Sequence, residues 1–357
     1  MAATYKNNIE LTIFGESHGE AIGIVIGNLP SGIVIDEAMI ASEMKRRAPG
    51  QNKMSTARKE ADQVHIVSGV LDGKTTGAPL TGIIYNSDQH SKDYSLLKSH
   101  MRPGHSDYPA FIKYQGFNDV RGGGHFSGRL TAPIVFAGSI AKQILSQKGI
   151  SIGAHILSIG DIKDEAFAVN VDDELLKQLK DKAFPTINDD VFPLMEEKIM
   201  EAKANLDSIG GRVECVALHV PAGIGEPFFD SLESHISALM FSIPAVKSVS
   251  FGDGDQMDQW HGSEANDEYY YDENGAVKTR TNHNGGIIGG ISNGMPLKVT
   301  VAFKPTPSIA RKQYTINVET QENVELEIKG RHDPCIVQRA VVVVEAMMAL
   351  AVLDMMR

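Results

Sequence analysis

The chain has 357 residues, 42% hydrophobic and 22% charged, which is ordinary for a globular protein and enough for one large domain or two. Its net charge of −11 argues against binding to nucleic acid or to an anionic membrane surface, because both uses advertise a basic footprint. An anionic ligand would have to find a local basic pocket against the global field.

In chain order, the amino terminus MAATYKNNIELTIFG has no cationic start followed by an apolar run, which predicts no secretory signal and a cytoplasmic setting. An apolar strand near residue 25 runs into the turn Leu29-Pro30-Ser31-Gly32-Ile33, after which Asp36 opens a helical pattern. Residues 45–59, KRRAPGQNKMSTARK, hold six basic residues and no acid. Pro49-Gly50 breaks the helix in mid-run, so Arg47, Lys53 and Arg58 are expected to hang from a loop suited to phosphate or carboxylate. The bland alternative is a solvated helix end. Residues 67–85 read as a Gly-rich strand pair.

Two histidine segments follow, RPGHSDY (102–108) and RGGGHFSGR (121–129). Asp107 is placed to fix the tautomer of His105, and successive glycine N–H groups at 122–124 suit an anion at a helix start. A helix is predicted over 131–147 and another over 191–209, the latter stopped by Gly210-Gly211. Residues 253–273 carry eight acids and no Lys or Arg, and 253–284 reads as a polar mobile lid. KPTPSI (304–309) presents Lys304, Thr306 and Ser308 after a strand, for phosphate binding or a plain edge turn. GRHDP (330–334) leads into a helix over 334–356 with Asp333 as N-cap and Pro334 at its first position. Both long helices mix Ala, Val and Met on nearly all faces, which predicts burial all round. The run 340–353 is too short and too polar to span a membrane. Cys215 and Cys335 form no metal-type pair and read as reduced core thiols.

The two halves look duplicated. Residues 23–38 match 216–231 in a strand, a Pro-(Ser/Ala)-Gly-Ile turn and an Asp-led helix; 67–85 matches 285–303; each half then closes with a long apolar helix. Four histidines, His18, His105, His125 and His332, each sit in a glycine-bearing segment that also carries a charge. Imidazole moves protons near neutral pH and guanidinium holds carboxylate or phosphate, so the set suggests an anion site that shuttles protons. No P-loop, Ser/His/Asp elbow, H-E-x-x-H or C-x-x-C is present, which disfavours phosphotransfer on such a loop, standard acyl transfer and metal hydrolysis.

Ten ordered blocks together resemble the chorismate synthase family. They are FGESHG, the RR-APG loop, DQVHIVSGV, GKTTGAP, RPGHSDY, RGGG-x-x-S-x-R, VPAGIGEP, GGIIGGISNG, KPTPSI and GRHDPC. The resemblance implies an α+β fold, a β-α-β sandwich with long central helices between antiparallel sheets and pseudo-duplicated halves, in a single domain over 1–357 whose lid orders when flavin binds. It implies a carbon–oxygen lyase that converts 5-enolpyruvylshikimate-3-phosphate to chorismate by 1,4-anti elimination of phosphate. The reaction requires reduced FMN without net redox change. A homotetramer is implied, and this compact chain resembles the members that rely on an external flavin reductase, with NADPH as indirect reductant.

The implied catalytic residues are His105 at the flavin near N1, His18 as proton donor to the departing phosphate, and Asp333, acting with flavin N5 on the C6 proton. Arg47, Lys53, Arg58, Arg129 and Arg331 are implied to grip the substrate. Flavin contacts are implied at His125, Phe126, Ser127, Pro244, Ala245, Gly289, Lys304, Pro305, Thr306, Pro307, Ser308 and Arg331. The sequence departs from the family pattern at His125, Leu130 and Lys53. A non-catalytic flavin- or NAD(P)H-binding module is the competing reading, and retention of His18, His105 and Asp333 disfavours it.

Overall fold

The computed structural model describes residues 3–50, 54, 62–86, 96–328 and 333–356. The first stretch of chain gives β1 (Thr4–Lys6), β2 (Glu10–Gly15), β3 (Ala21–Gly27), α1 (Glu37–Arg47), β4 (His65–Ser68), β5 (Val70–Leu71), β6 (Lys74–Thr75), β7 (Leu80–Tyr85), α2 (Asp107–Lys113) and α3 (Thr131–Ser146). Next come β8 (Ser151–Ile159), β9 (Ile162–Lys163), α4 (Asp173–Asp181), α5 (Phe192–Ala204), β10 (Gly211–Leu218), α6 (Leu232–Phe241) and β11 (Val246–Phe251). The remainder is α7 (Gly262–Ala265), β12 (Tyr269–Tyr271), β13 (Val277–Thr279), β14 (Ile287–Ile288), β15 (Ile291–Ser292), β16 (Leu297–Phe303), β17 (Gln313–Asn317), β18 (Glu322–Leu326) and α8 (Val337–Met355).

These elements fall into two compact units: Met1–Phe136 with Glu196–Gly210 and Pro305–Arg339, and Ala137–Met195 with Gly211–Lys304 and Ala340–Arg357. Each unit holds one five-stranded antiparallel sheet, in the order β1-β2-β3-β7-β4 in the first and β11-β16-β10-β8-β9 in the second. Matching β2, β3, β4 and β7 with β8, β10, β11 and β16 gives the same spatial order in both, first-second-fourth-third.

The turns repeat as well. In the first unit the Thr75 hydroxyl donates to Pro30 O (2.6 Å) and accepts from Ile33 N (2.9 Å). Its main chain pairs with Gly32 N and Ile33 O. In the second unit the Ser292 hydroxyl donates to Pro221 O (2.6 Å) and accepts from Ile224 N (2.9 Å), and its main chain pairs with Gly223 N and Ile224 O. One staple of four hydrogen bonds therefore ties the Pro-x-Gly-Ile turn to the second strand of the small hairpin in each half, and at this turn the duplication read from the sequence recurs bond for bond.

The core of the first unit takes Ile22, Ile24, Ile26, Leu80, Ile84 and Phe136, all nearly inaccessible. Phe136 reaches it over Gly82, where an added Cβ would sit 2.3 Å from the ring. In the second unit Ile156, Ile159, Val213, Cys215, Leu297, Val299 and Val301 are buried from the strands, and α8 buries Val344, Met348, Ala349 and Val352. Both long helices are buried on nearly all faces, as their composition predicts. Cys215 and Cys335 are free and buried, and burial pushes the Cys335 thiol up to about 12, so neither is a ready nucleophile.

Three boundaries differ from the sequence-based expectation. α5 ends at Ala204 rather than near residue 209, because Leu206 takes a left-handed φ of 56°. Leu206 N pairs with Lys203 O and Asp207 N with Ala202 O, the pattern of a Schellman stop in which leucine occupies the usual glycine position. α8 begins at Val337, not at Pro334. Asp333 is not its N-cap: the carboxylate is taken by Arg339 Nη1 (2.5 Å), while Pro334 O accepts from Ile209 N. Arg47 is the last residue of α1 rather than part of a loop, and Ala48 is the C-cap.

The acidic stretch 253–284 folds back on itself. Asp267 accepts from the Thr281 hydroxyl, His283 N, Asn284 N and Asn284 Nδ2, and Asp253 pairs with His283 Nδ1 (2.7 Å) and Lys298 Nζ (3.3 Å). Asp272 accepts from Asn274 N and Ala276 N in the turn between β12 and β13. Much of the local excess of acid thus satisfies main-chain N–H groups and nearby cations.

Candidate functional site

The first unit gathers most of the residues singled out from the sequence. His18 lies in the turn between β2 and β3 and is only 3% exposed. The backbone of Gly122–Gly124 runs against it, all three glycines having positive φ. A Cβ on Gly122 would fall 2.1 Å from His18 Nδ1, and one on Gly124 would fall 2.0 Å from Asp119 O. A Cβ on Gly123 would lie 3.3 Å from His105 Nε2. The triple glycine is therefore required by close approach, and it brings His18 and His105 to one stretch of backbone. Ser17 N–H donates to Gly124 O, and His125 Nδ1 lies 2.8 Å from Gly15 O, so the loop and the His18 turn are also laced together.

His105 is held from its other side. Its Nδ1 lies 2.6 Å from Asp107 Oδ1 and 3.1 Å from Arg102 Nη2. The carboxylate is the nearest partner there and can only accept, which assigns the proton to Nδ1 and turns Nε2 toward the glycine loop. Arg102 grips Asp107 with Nε (2.7 Å) and Nη2 (2.8 Å) and donates through Nη1 to the Ser308 hydroxyl (3.2 Å). Burial alone would raise the Asp107 carboxyl, but its bonds to Arg102 and His105 hold it well below the carboxylate range. The hairpin β17–β18 straps this segment: the Thr315 hydroxyl donates to Met101 O, and Met101 N–H donates to Ile316 O.

A cluster of arginines occupies the other side of the site. Arg47 and Arg129 are 2% and 6% exposed, and the Asp62 carboxylate bridges their Nη1 groups, at 2.5 Å from Arg47 and closer still to Arg129. Arg47 also donates through Nε to the Thr131 hydroxyl (3.1 Å) and through Nη2 to Gly128 O (3.4 Å). Arg339 donates through Nε to Arg47 O (3.0 Å) and through Nη1 to Asp333. Burial, then the charges of Arg339 and Arg129, bring the Arg47 guanidinium down to about 10, although Asp62 opposes them. Asp62 itself is pushed up by burial but carried below the ordinary range by Arg47 and Arg129.

One continuous series of contacts thus joins His105, Gly123, Gly122, His18, the turn at Glu16–Gly19, Asn86, Arg129, Asp62, Arg47, Arg339 and Asp333. The three candidate catalytic residues and two candidate anion-binding arginines belong to it. Arg47 departs from expectation by being buried, with its donors already engaged by protein acceptors. Lys53, Arg58, Arg331 and His332 lie outside the described residues. Asp62, Arg102 and Arg339 were assigned no role from sequence, although Asp62 and Arg102 stand in motifs noted there. Asn86 was not marked at all.

The stretches suited to a flavin have polar and aromatic groups to offer. Phe126 is partly exposed with its ring 6.2 Å from Tyr114. Ser127 caps the short turn that carries Arg129, accepting from Arg129 N (3.3 Å). After Pro305, Thr306 O accepts from Ser208 Oγ (2.7 Å), whereas Thr306 Oγ1 is buried with no hydrogen-bond partner among the described residues. Pro307 separates it from the buried Ser308. In the second unit, Pro244 precedes Ala245, a non-glycine residue at φ 73° whose carbonyl accepts from Lys304 N (3.0 Å), and Gly289 turns the β14–β15 hairpin at φ 64°. Leu130 is 5% exposed, so its side chain is buried.

Compared with known proteins, residues 9–357 match the family model described as chorismate synthase. Chorismate synthase of Methanocaldococcus jannaschii is 44% identical, covering 99% of this chain and 96% of that protein. That of Thermococcus gammatolerans is 46% identical over 97% of this chain and 95% of its own, and that of Cytophaga hutchinsonii 45% over 99% and 97%. A solved structure titled "Crystal Structure of Chorismate Synthase" superposes with a TM-score of 0.76 at 28% identity, covering 97% of this chain and 91% of that one.

Proposed function

The chain belongs to the chorismate synthase family of carbon–oxygen lyases, and on that footing we propose that it converts 5-enolpyruvylshikimate-3-phosphate to chorismate by 1,4-anti elimination of phosphate, with reduced FMN and no net redox change. The observation that supports the reading best is the single contact series that joins two histidines on one glycine loop to a cluster of buried arginines.

Expelling phosphate needs a proton donor near neutral pH and cations that hold the anion as it leaves. His18 is that donor. Arg129 and Arg47, joined by Arg58, Lys53 and Arg331, hold the substrate's phosphate and carboxylates. Arg47 takes part through the pair it forms with Arg129 across Asp62. His105, its Nδ1 proton committed to Asp107, presents Nε2 toward the glycine loop and places a proton or a partial charge beside the cofactor. Asp333, oriented by Arg339, takes part in removing the C6 proton. The residues present fit FMN: Thr306 Oγ1, buried and without a hydrogen-bond partner among the described residues, offers a donor and acceptor, Ser308 lies two residues on, and His125, Phe126 and Ser127 are proposed on the family likeness. Reduced FMN, when bound, supplies the transient electron that no side chain can. Contacts at Pro244, Ala245, Gly289, Lys304, Pro305, Pro307 and Arg331 are proposed on the family likeness alone.

The same likeness supports a homotetramer, a cytoplasmic setting, and reduction of the flavin by an external reductase drawing on NADPH. Among the described residues no helix is long and apolar enough to cross a membrane. The test is to incubate the protein anaerobically with dithionite-reduced FMN and substrate, then assay phosphate and chorismate. Equal release of both is expected, and folded protein that yields neither would remove the reading.

A further inference from the structure

Asn86, the first residue after β7, stands where the proton donor and the anion clamp meet. Its Nδ2 donates to Gly19 O (2.8 Å) and Glu16 O (3.1 Å), which bracket the turn carrying His18. Its main-chain N–H donates to Glu20 O (3.0 Å), closing the same turn. Its Oδ1 accepts from Arg129 Nε (3.2 Å), whose Nη1 is held by Asp62. The partners fix which end of the amide is which: two carbonyls require the NH2, and a guanidinium requires the oxygen.

From this geometry, which rests on the roles of His18 and Arg129 in the proposed reaction, we infer that Asn86 is a positioning residue that sets His18 at a fixed distance and angle from Arg129, so that protonation and anion capture act on the same phosphate. The argument is one of chemistry and reach. The His18 turn ends in carbonyl oxygens that only a donor can tie down, and Arg129 Nε offers a proton that only an acceptor can take. A single planar carboxamide does both. A carboxylate would keep the arginine but meet the two carbonyls with lone pairs, and an aliphatic side chain would remove all three bonds at once. The triple glycine already presses backbone against His18, so this imidazole has one packed side, and the carboxamide restrains the turn from which it springs.

The test is Asn86→Asp in the whole enzyme, with Asn86→Ser as a second variant in case the first perturbs folding, and His18→Ala as the partner in a double-mutant cycle. Asn86→Asp retains the acceptor for Arg129 and loses the donors to the turn. It is expected to leave KM within a few-fold of wild type while kcat falls about 10- to 100-fold, the scale on which small misplacements act. In the His18→Ala background the same change is expected to do little further, because the group it positions is gone. Equal fold-losses in both backgrounds, or wild-type kcat in both variants of Asn86, would overturn the inference while wild-type turnover leaves the proposed reaction standing. A wild-type protein that releases no phosphate would remove the reaction and the inference together.

Discussion

At Asp107 one carboxylate serves two partners, receiving Arg102 through a two-pronged contact and His105 through Nδ1. Its pKa is held far enough down that it stays charged across the neutral range, so any limb of the pH–rate profile belongs to another group. The same carboxylate sets which His105 nitrogen bears the proton. Asp107→Asn preserves size but offers an amide that can turn its NH2 toward Nδ1, and the wrong tautomer would then face the glycine loop. Turnover is expected to fall on the order of 100-fold, approaching the 10²- to 10⁴-fold loss expected for His105→Ala. Steady-state rates of the two single variants and the double check this. The double variant should be little worse than His105→Ala, because the two residues act as one device. Asp107→Asn at the wild-type rate would show that the tautomer is fixed by something else.

Among elements, the repeated hydroxyl staple is the feature with a number attached. Thr75 and Ser292 are each 4% exposed, and each hydroxyl satisfies one carbonyl and one amide of a turn that has no other partner for them in the staple. Thr75→Val and Ser292→Ala should each cost about 1–3 kcal/mol, the penalty for leaving buried polar groups unpaired, measured by urea unfolding. If the two halves are equivalent here, the two losses agree within a factor of two; a neutral Ser292→Ala would mean the second turn is held without its hydroxyl. The turn itself was legible in sequence, because Pro-x-Gly-Ile and the small hairpin recur as local patterns. So were the two buried helices, whose lack of a polar face needs no partner to be recognised. What escaped was of two kinds. Leu206 ends α5 in a left-handed conformation that no leucine announces. Asn86, Asp62 and Arg339 gain meaning from partners far along the chain, such as the 43 residues between Asn86 and Arg129 or the 292 between Arg47 and Arg339. Arg47 was recognised as a cation, yet its burial depends on Thr131 and Asp62 and not on its neighbours in α1.

Across the whole molecule, acid and alkali act on different charges. Asp62 and Asp107 in the first unit, and Asp164 and Asp267 in the second, all have pKa values below the ordinary carboxylate value. A depressed carboxylate contributes stability that is present above its unfolded pKa of about 3.9 and is lost as pH falls through the folded value, so both units weaken in acid. His155 has the opposite sign and lies in the second unit alone. Burial would push its imidazole down, but bonds from Nδ1 to Asp164 (3.1 Å) and Nε2 to Glu214 (3.0 Å) more than reverse this and hold it up. Its contribution is complete below the unfolded pKa of about 6.5 and is lost as pH rises through the raised folded value. Deprotonation then removes the charge shared by Asp164 and Glu214, while Lys298 Nζ stays 3.9 Å from Glu214 and 3.3 Å from Asp253. The single tryptophan, Trp260, packs its ring 5.0 Å from His283, which is paired with Asp253, so its fluorescence reports on this unit. Thermal unfolding followed by that fluorescence should show stability declining as pH is raised above about 6.5. His155→Gln, which keeps hydrogen-bonding capacity but no charge, should cost on the order of 3 kcal/mol at pH about 6 and flatten the alkaline decline. A variant whose stability falls with pH as steeply as the wild type would show that the imidazolium is not the charge that binds these carboxylates together.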